Sequence, residues 1–298
     1  MKDLVSVIVP TYSRPVNLLR AIDSILNQTY RNIEIIIVDD NGLGSNEQVE
    51  TYNILSEYIK KKQVIYFPHE KNINGSAARN TGLSLAKGKY ISFLDDDDEF
   101  HENKIEIQVK ALKELDNSWG GCYCNTTLIG KRKIVLNNKK SGNLVEDLLL
   151  GTVRFNTSSL LLRKEVCEDL NGFDVSFERH QDWEFMMRYF RKYKIYLPTT
   201  NSLLNKYSSR KLSSNFPNSQ KFIKVKKQFL ETFETDINII KSSDKIYHEH
   251  WMQVASCLLA EKKYKQFLYY LKLSNSYSKF TLNDLKSLTI SLILGFIK

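Results

Sequence analysis

Short apolar runs alternate along the first hundred residues with stretches whose apolar positions recur at helical spacing. Residues 4–9 (LVSVIV) form a continuous apolar run closed by Pro10, the pattern of a parallel strand buried on both faces. Pro15 suits a first helical turn, and Leu18, Leu19, Ile22, Ile25 and Leu26 share one helix face up to Asn27. Residues 33–38 (IEIIIV) predict a second buried strand, closed by Asp39, Asp40, Asn41 and Gly42, which completes a β-α-β unit. The alternation continues with a helix over 46–60, a strand over 64–67, a helix over 76–86 entered through Asn74-Gly75, and a strand over 90–94. It predicts an α/β fold with a doubly wound, Rossmann-like, mostly parallel sheet.

Beyond residue 100 the pattern changes. A helix is expected over 103–115, a hairpin from 120–128 and 133–136, and a short helix over 144–150. A strand over 158–162 (SSLLL) leads into a helix over 164–170, and Asn171-Gly172-Phe173-Asp174 reads as a turn. A helix over 181–192 puts Trp183, Phe185, Met186, Tyr189 and Phe190 on or near its buried face, and strands follow at 195–197 and 202–207. Residues 208–219, rich in Ser, Asn and basic residues with Pro217, predict a linker or loop. The remainder is helical, over 220–239, 245–261, 264–274 and 282–296. Trp251, Ala255 and Leu259 facing Tyr264, Phe267 and Leu271 suggest one helical hairpin of tetratricopeptide type. The final helix ends in LILGFI, which either caps that hairpin or lies in a membrane interface. The boundaries expected are a catalytic domain over 1–212 and a helical C-terminal extension over 213–298.

At 298 residues and 42% hydrophobic content the chain can bury a large core. No apolar run reaches the roughly 20 residues that span a bilayer, and Met1-Lys2-Asp3 enters a strand without a basic-then-apolar leader, so a cytoplasmic location is expected. Cys122, Cys124, Cys167 and Cys257 lack paired metal spacing and read as reduced thiols. His248-x-His250 does not share a helix face, which argues against a metal site there. Charge is uneven: residues 1–185 carry 23 Lys and Arg against 27 Asp and Glu, and residues 186–298 carry 20 against 7. The basic third suits an anionic membrane surface or a phosphorylated acceptor, and Lys221, Lys224, Lys226 and Lys227 form a basic helical patch. Without zinc-finger spacing or an aromatic RNA-binding signature, no nucleic-acid partner is expected.

The chemistry concentrates in Asp95, Asp96, Asp97, Asp98 and Glu99, which follow a buried strand. Open α/β sheets bind ligands at the carboxyl ends of their strands, and a cation among these carboxylates relieves their repulsion. Asp95 and Asp97 have D-x-D spacing, which suits an oxygen-loving Mg²⁺ or Mn²⁺ beside a diphosphate. Asp39 with Asp40, and Asp182, lie at two other points that the fold should bring near.

Six blocks in order carry a resemblance: Ser6-Val-Ile-Val-Pro-Thr-Tyr12, Ile25-Leu-Asn-Gln-Thr-Tyr30, Ile37-Val-Asp-Asp-Asn41, Asn74-Gly-Ser-Ala-Ala-Arg-Asn-Thr-Gly82, Gly88 through Asp98, and Gly172-Phe-Asp174 with Gln181-Asp-Trp183. Over roughly residues 4 to 210 the chain resembles the family 2 glycosyltransferases of the GT-A fold. The resemblance implies a nucleotide-sugar half over about 1–100, an acceptor half over about 101–212, and an inverting transfer from a nucleotide sugar, most simply a UDP-sugar. It implies that Pro10, Thr11 and Tyr12 line the base with Arg14 and Asn74 near the nucleotide, and that Asp40 accepts from the uracil with Asp39 beside it. The resemblance further implies that Arg79 lies near base or phosphates, Asp96 near the ribose, and that Asp97 is the direct metal ligand supported by Asp95. Asp98 and Glu99 receive no role. Asp182 matches the general base that takes a proton from the acceptor hydroxyl. His180, Gln181, Trp183 and Arg210 are weaker candidates for acceptor or diphosphate contact. The implied partners are a nucleotide-sugar donor and a glycan or lipid-linked glycan acceptor of a bacterial surface polysaccharide. Peripheral attachment to the inner face of the plasma membrane and a homodimer are among the expectations.

Two departures stand out. Gln181-Asp182 replaces the frequent Glu-Asp, which leaves Asp182 the sole carboxylate there, and Tyr207-Ser-Ser-Arg210 replaces a Tyr-Arg-x-His run, which leaves the third metal ligand open. A nucleotidyltransferase is a rival reading, though Pro10-Thr-Tyr-Ser-Arg14 lacks the glycine-rich basic loop it would want. A nucleotide-binding scaffold with a partner-docking helical tail is another, and Asp40, Asp97 and Asp182 argue against it.

Overall fold

The computed structural model describes residues 2–207 and 218–296. The chain forms two compact units, Met1–Val145 with Val153–Ser208, and Glu146–Thr152 with Ser209–Lys298. The first begins with the expected alternation: β1 (Val5–Thr11), α1 (Pro15–Leu26), β2 (Ile33–Asp39), α2 (Asn46–Lys60), β3 (Ile65–Pro68), α3 (Gly75–Leu85) and β4 (Tyr90–Phe93). The chain continues through β5 (Asp98–Phe100), α4 (Lys104–Lys113), β6 (Trp119–Cys122), β7 (Asn125–Ile129), β8 (Lys133–Leu136), α5 (Val145–Leu149), whose residues from Glu146 onward belong to the second unit, β9 (Leu161–Arg163), α6 (Lys164–Asp169), α7 (Gln181–Phe190), β10 (Lys194–Tyr196) and β11 (Ser202–Tyr207).

A seven-stranded sheet has the order β10-β6-β9-β4-β1-β2-β3. Its pairs are parallel except those of β9, which runs antiparallel to β4 and β6. Val5, Val7 and Val9 of β1 and Ile35 and Ile37 of β2 pack with Leu18 and Ile22 of α1 in one buried cluster. On the other face α3 lies so close that a Cβ at Gly82 would come 2.3 Å from Ile8 Cγ2. The ends of β1, β2 and β4 are thereby held side by side.

A second sheet, β5-β11-β7-β8, collects the later strands. The hairpin expected from 120–128 and 133–136 is corrected here. β6 belongs to the large sheet, and only β7 pairs with β8. Gly121 explains the split, since a Cβ there would lie 2.7 Å from Leu161 O and only glycine lets β6 approach β9 so closely. Cys122 ends β6, and Cys124 lies between β6 and β7. All four cysteines are buried thiols outside any disulfide, and burial pushes Cys124 up to about 11 and Cys167 up to about 12. The strand expected over 158–162 is also corrected. Thr157–Ser159 form a 3-10 turn whose Asn156 side chain accepts from Ser159 N, and the strand covers only Leu161–Arg163.

The second unit is helical: α8 (Ser219–Thr232), α9 (Glu234–Asn238), α10 (Ser243–Ala260), α11 (Tyr264–Tyr277) and α12 (Leu282–Phe296), together with residues 146–152. The helix expected over 220–239 is broken at Phe233, whose φ of −111° and ψ of 19° leave the helical region. Asn218 caps α8 by accepting from Gln220 N and Lys221 N. The linker expected at 208–219 otherwise lies outside the described residues. Met252 and Leu259 of α10 and Leu288 of α12 pack with Phe267 and Leu271 of α11. His248 joins the same three helices, with Nε2 3.2 Å from Asp284 and Nδ1 2.9 Å from Ser274 Oγ. His250 turns instead to Leu149 O, at 3.1 Å. Lys226 corrects the basic patch: it is fully buried, and only Lys221, Lys224 and Lys227 of that group are exposed. Among the described residues no helix is long and apolar enough to cross a membrane.

Candidate active site

β4 ends at Phe93, and Leu94 N makes one more bond to β1, 3.0 Å from Ile8 O. The chain then turns through Asp95–Asp98, with Asp98 N 3.0 Å from Asp95 O, and enters the second sheet as β5. The four aspartates therefore occupy the turn between the two sheets. Each is oriented by a different element.

Asp95 Oδ1 accepts from Arg79 NH2 at 2.7 Å and from Thr157 Oγ1 at 3.3 Å, and Asp95 N donates to Ser158 Oγ at 3.0 Å. Asp96 accepts from Thr11 Oγ1 at 2.9 Å and Tyr12 N at 3.2 Å, which ties it to the end of β1. Arg14, just before α1, reaches both Asp96 at 3.3 Å and Asp97 at 2.5 Å. Asp98 is fully buried, accepts from Ser158 Oγ at 2.7 Å, and faces Lys206 Nζ at 3.1 Å. Glu99 is held outside the group by Asn205 and Tyr207 of β11.

Burial disfavours the charged carboxylate, so Asp96 is pushed up to about 6 and Asp98 to about 7. Burial acts on Asp95 as well, but Arg79 and Lys206 outweigh it and hold that carboxyl below the usual range. The Lys206 ammonium is opposed by burial and favoured more strongly by Asp95 and Asp98, and its pKa is raised. Asp95, Asp97 and Asp98 each offer an oxygen within 4.8 Å of the others. A set of hard oxygen donors at that spacing fits Mg²⁺ or Mn²⁺. The third carboxylate is Asp98, to which the sequence attached no role.

The other expected residues are placed around this turn. Tyr12 is exposed, its ring at the rim, and Ser13 in a left-handed conformation donates to Asn41 Oδ1 at 2.8 Å. Pro10 and Thr11 close β1. Asp39 and Asp40 are both buried at the end of β2. Asp39 accepts from Tyr66 OH at 2.7 Å, and burial raises its pKa. Asp40 accepts from Asn72 Nδ2 at 2.9 Å and Ile73 N at 3.0 Å, with His69 Nδ1 at 2.7 Å. Both of its oxygens are thus engaged in fixing the 69–73 loop. Asn74 caps α3 by accepting from Ala77 N and holds Val175 O through Nδ2.

Arg79 links this group to α7. Its NH1 donates to Gln181 Oε1 at 3.1 Å while its NH2 holds Asp95. Gly75 leaves room for the link, since a Cβ there would lie 3.1 Å from Arg79 NH1 and 3.2 Å from Gln181 Oε1. Asp182 follows at the start of α7, where its Oδ1 accepts from Trp183 N at 3.0 Å. Burial raises its pKa, with Arg79 lowering and Asp95 raising it in turn. His180 enters α7 with a left-handed φ of 59°, and its ring lies 5.3 Å from that of Trp183. Arg210 lies outside the described residues. Sequence reasoning missed Thr157, Ser158, His69 and Lys206. The Ser-rich start of a supposed strand was the one available signal for the first two.

A mixed sheet that delivers clustered carboxylates to its strand ends, with a second small sheet beside it, defines a GT-A type glycosyltransferase fold. The family model described as Glycosyl transferase family 2 matches residues 6–170, more than half of the chain, and the chain belongs to that family. An uncharacterised glycosyltransferase of Rickettsia prowazekii is 33% identical over 222 residues, covering 68% of this chain and 67% of the relative. The amylovoran biosynthesis glycosyltransferase AmsB of Erwinia amylovora is 30% identical over 197 residues, 63% of this chain and 64% of the relative. A Rickettsia bellii glycosyltransferase, 34% identical, is spanned over only 28% of its length. The crystal structure of S. aureus TarS in complex with UDP-GlcNAc superposes with a TM-score of 0.59 at 18% identity, over 97% of this chain and 79% of that one, and shows the common fold.

Proposed function

We propose that the chain transfers a sugar from a UDP-sugar to a hydroxyl of a glycan acceptor, with inversion, in the synthesis of a bacterial surface polysaccharide. The observation that carries the reading is the bridge from Asp95 through Arg79 to Gln181, which couples the carboxylate turn to the helix bearing Asp182. A donor laid along the ends of β1 and β4 would stack its base on Tyr12 beside Pro10 and Thr11, near Asp39, Asp40 and Asn74. Its ribose would lie by Asp96, with Arg14 and Arg79 facing the phosphates. Asp95, Asp97 and Asp98 would hold a divalent cation, which when bound neutralises charge that builds on the departing diphosphate.

Asp182 would take the proton of the acceptor hydroxyl. A carboxylate whose pKa is raised by burial is a better base than one in water, which suits it to that transfer. His180 and Trp183 would flank the acceptor, and Gln181 would hold Arg79 in place. A surface-glycan product is supported by the likeness to AmsB, an amylovoran biosynthesis glycosyltransferase. A lipid-linked acceptor, work at the cytoplasmic face of the membrane, and contact with anionic lipid through the exposed lysines of α8 complete the reading.

The test is a transfer assay on the purified chain across UDP- and GDP-sugars, with Mn²⁺, Mg²⁺ or EDTA. Transfer from a UDP-sugar that EDTA abolishes supports the reading, and activity indifferent to EDTA removes the metal from it. Asp182→Asn should reduce transfer by about a thousandfold or more while UDP still binds. Turnover retained by that variant would sink the base assignment.

A further inference from the structure

The carboxylate turn already holds a cation of its own. β11 runs antiparallel to β5 with Lys206 directly opposite Asp98, so strand register delivers the ammonium into the turn. Its Nζ lies 3.1 Å from Asp98 Oδ2, 3.4 Å from Asp98 Oδ1 and 3.6 Å from Asp95 Oδ2. Two of the three residues whose oxygens could hold a divalent ion are the two that Lys206 contacts. Asp97, the third, has one oxygen on Arg14, and Asp95 has its other oxygen on Arg79.

We propose that Lys206 is an internal competitor for the divalent cation, so that the metal enters the site together with the donor diphosphate and binds poorly before it. This rests on the nucleotide-sugar and metal reading given above.

Charge and access support the proposal. Asp98 has no exposed side-chain surface, so its charged form needs a positive partner, and Lys206 supplies one. The Lys206 side chain is 36% exposed, so its flexible stem can swing toward solvent when another cation arrives. A metal ion alone would meet three like charges, on Lys206, Arg14 and Arg79, within one small turn. A diphosphate brings negative charge that offsets them, and it offers Arg14, Arg79 and the displaced ammonium an alternative partner. Lys206 is in this sense a positioning residue that sets the order of loading.

The experiment is calorimetric titration of Mn²⁺ into the full chain, wild type against Lys206→Gln and Lys206→Met, with and without UDP. Without UDP, the two variants should bind Mn²⁺ at least about tenfold more tightly than wild type. With UDP present, wild type should tighten until the three agree within about threefold. Gln keeps a hydrogen-bond donor for Asp98, so it guards against loss of fold in the Met variant. Thermal unfolding gives a second readout: Mn²⁺ alone should raise the midpoint of Lys206→Gln and leave wild type unmoved. Equal Mn²⁺ affinity of wild type and variants without UDP, or weaker binding by the variants, overturns the competitor role while leaving the metal reading intact. No Mn²⁺ binding by any form, even with UDP, overturns both.

Discussion

Arg79 and Gln181 meet at 3.1 Å although 102 residues separate them in the chain. The same guanidinium lies 2.7 Å from Asp95 and 3.3 Å from Thr157 Oγ1, so one planar fork serves α3, the carboxylate turn and α7 together. A lysine keeps the charge but cannot reproduce the fork. Arg79→Lys should fold normally and lower kcat/KM by about 10- to 100-fold, the worth of a lost hydrogen bond to a charged group. Steady-state kinetics beside a thermal melt checks this; unchanged kinetics would show that the bridge does not position α7.

Asp182 titrates above the ordinary carboxylate value of 3.8, chiefly because burial disfavours its charge. A general base acts when deprotonated, so kcat/KM should climb with pH through that raised pKa and level off above it. Gln181→Glu would add a like charge next door and push the limb to still higher pH. A pH-rate profile decides the matter. An acid limb at the ordinary value, or one that the substitution leaves in place, counts against Asp182 as the base.

Gly82 lies on α3 against β1. A methyl group there would sit 2.3 Å from Ile8 Cγ2 and 3.1 Å from Ile8 Cγ1, closer than atoms can pack. Gly82→Ala should cost about 1–3 kcal/mol and lower the melting midpoint by several degrees. Combined with Ile8→Ala, the loss should be smaller than the sum of the two single changes. Additive losses would place the strain elsewhere.

Lys104 is fully buried beneath the carboxylate turn, with Nζ 3.1 Å from Ser92 Oγ and 4.0 Å from the centre of the Phe100 ring. Burial lowers its pKa from 10.5 to about 8. Between those values only the unfolded chain keeps the proton. Stability from this group is complete above the unfolded value and is lost as pH falls through the folded one. Unfolding free energy should therefore rise with pH across that window, by up to ~1.4 kcal/mol per unit, and Lys104→Met should flatten the slope. Urea denaturation of both proteins at the two ends of the window measures it.

The alternation of strand and helix up to Phe93 was legible because burial on both faces of a parallel strand leaves a continuous apolar run, and a run of that kind needs no distant partner to be recognised. The D-x-D spacing and Asp182 were legible as residue types at strand and helix ends. The failures came where position depends on a neighbour. β6 and β7 look like one hairpin in sequence, yet Gly121 packs so tightly on β9 that β6 stays in the large sheet. Ser158 looks like the start of a strand, yet its hydroxyl is taken by Asp98 and by Asp95 N. Lys226 looks like part of a solvated basic face but is fully buried.

The sequence by itself determined the family, the catalytic fold and the acidic turn, since these rest on local pattern. Only the tertiary structure decided how that turn is neutralised. Arg14 stands 82 residues from Asp96, and Lys206 stands 108 from Asp98. Coulomb attraction acts through space and follows spatial separation and burial rather than separation along the chain, so no spacing in the sequence announces which cation a buried carboxylate will find.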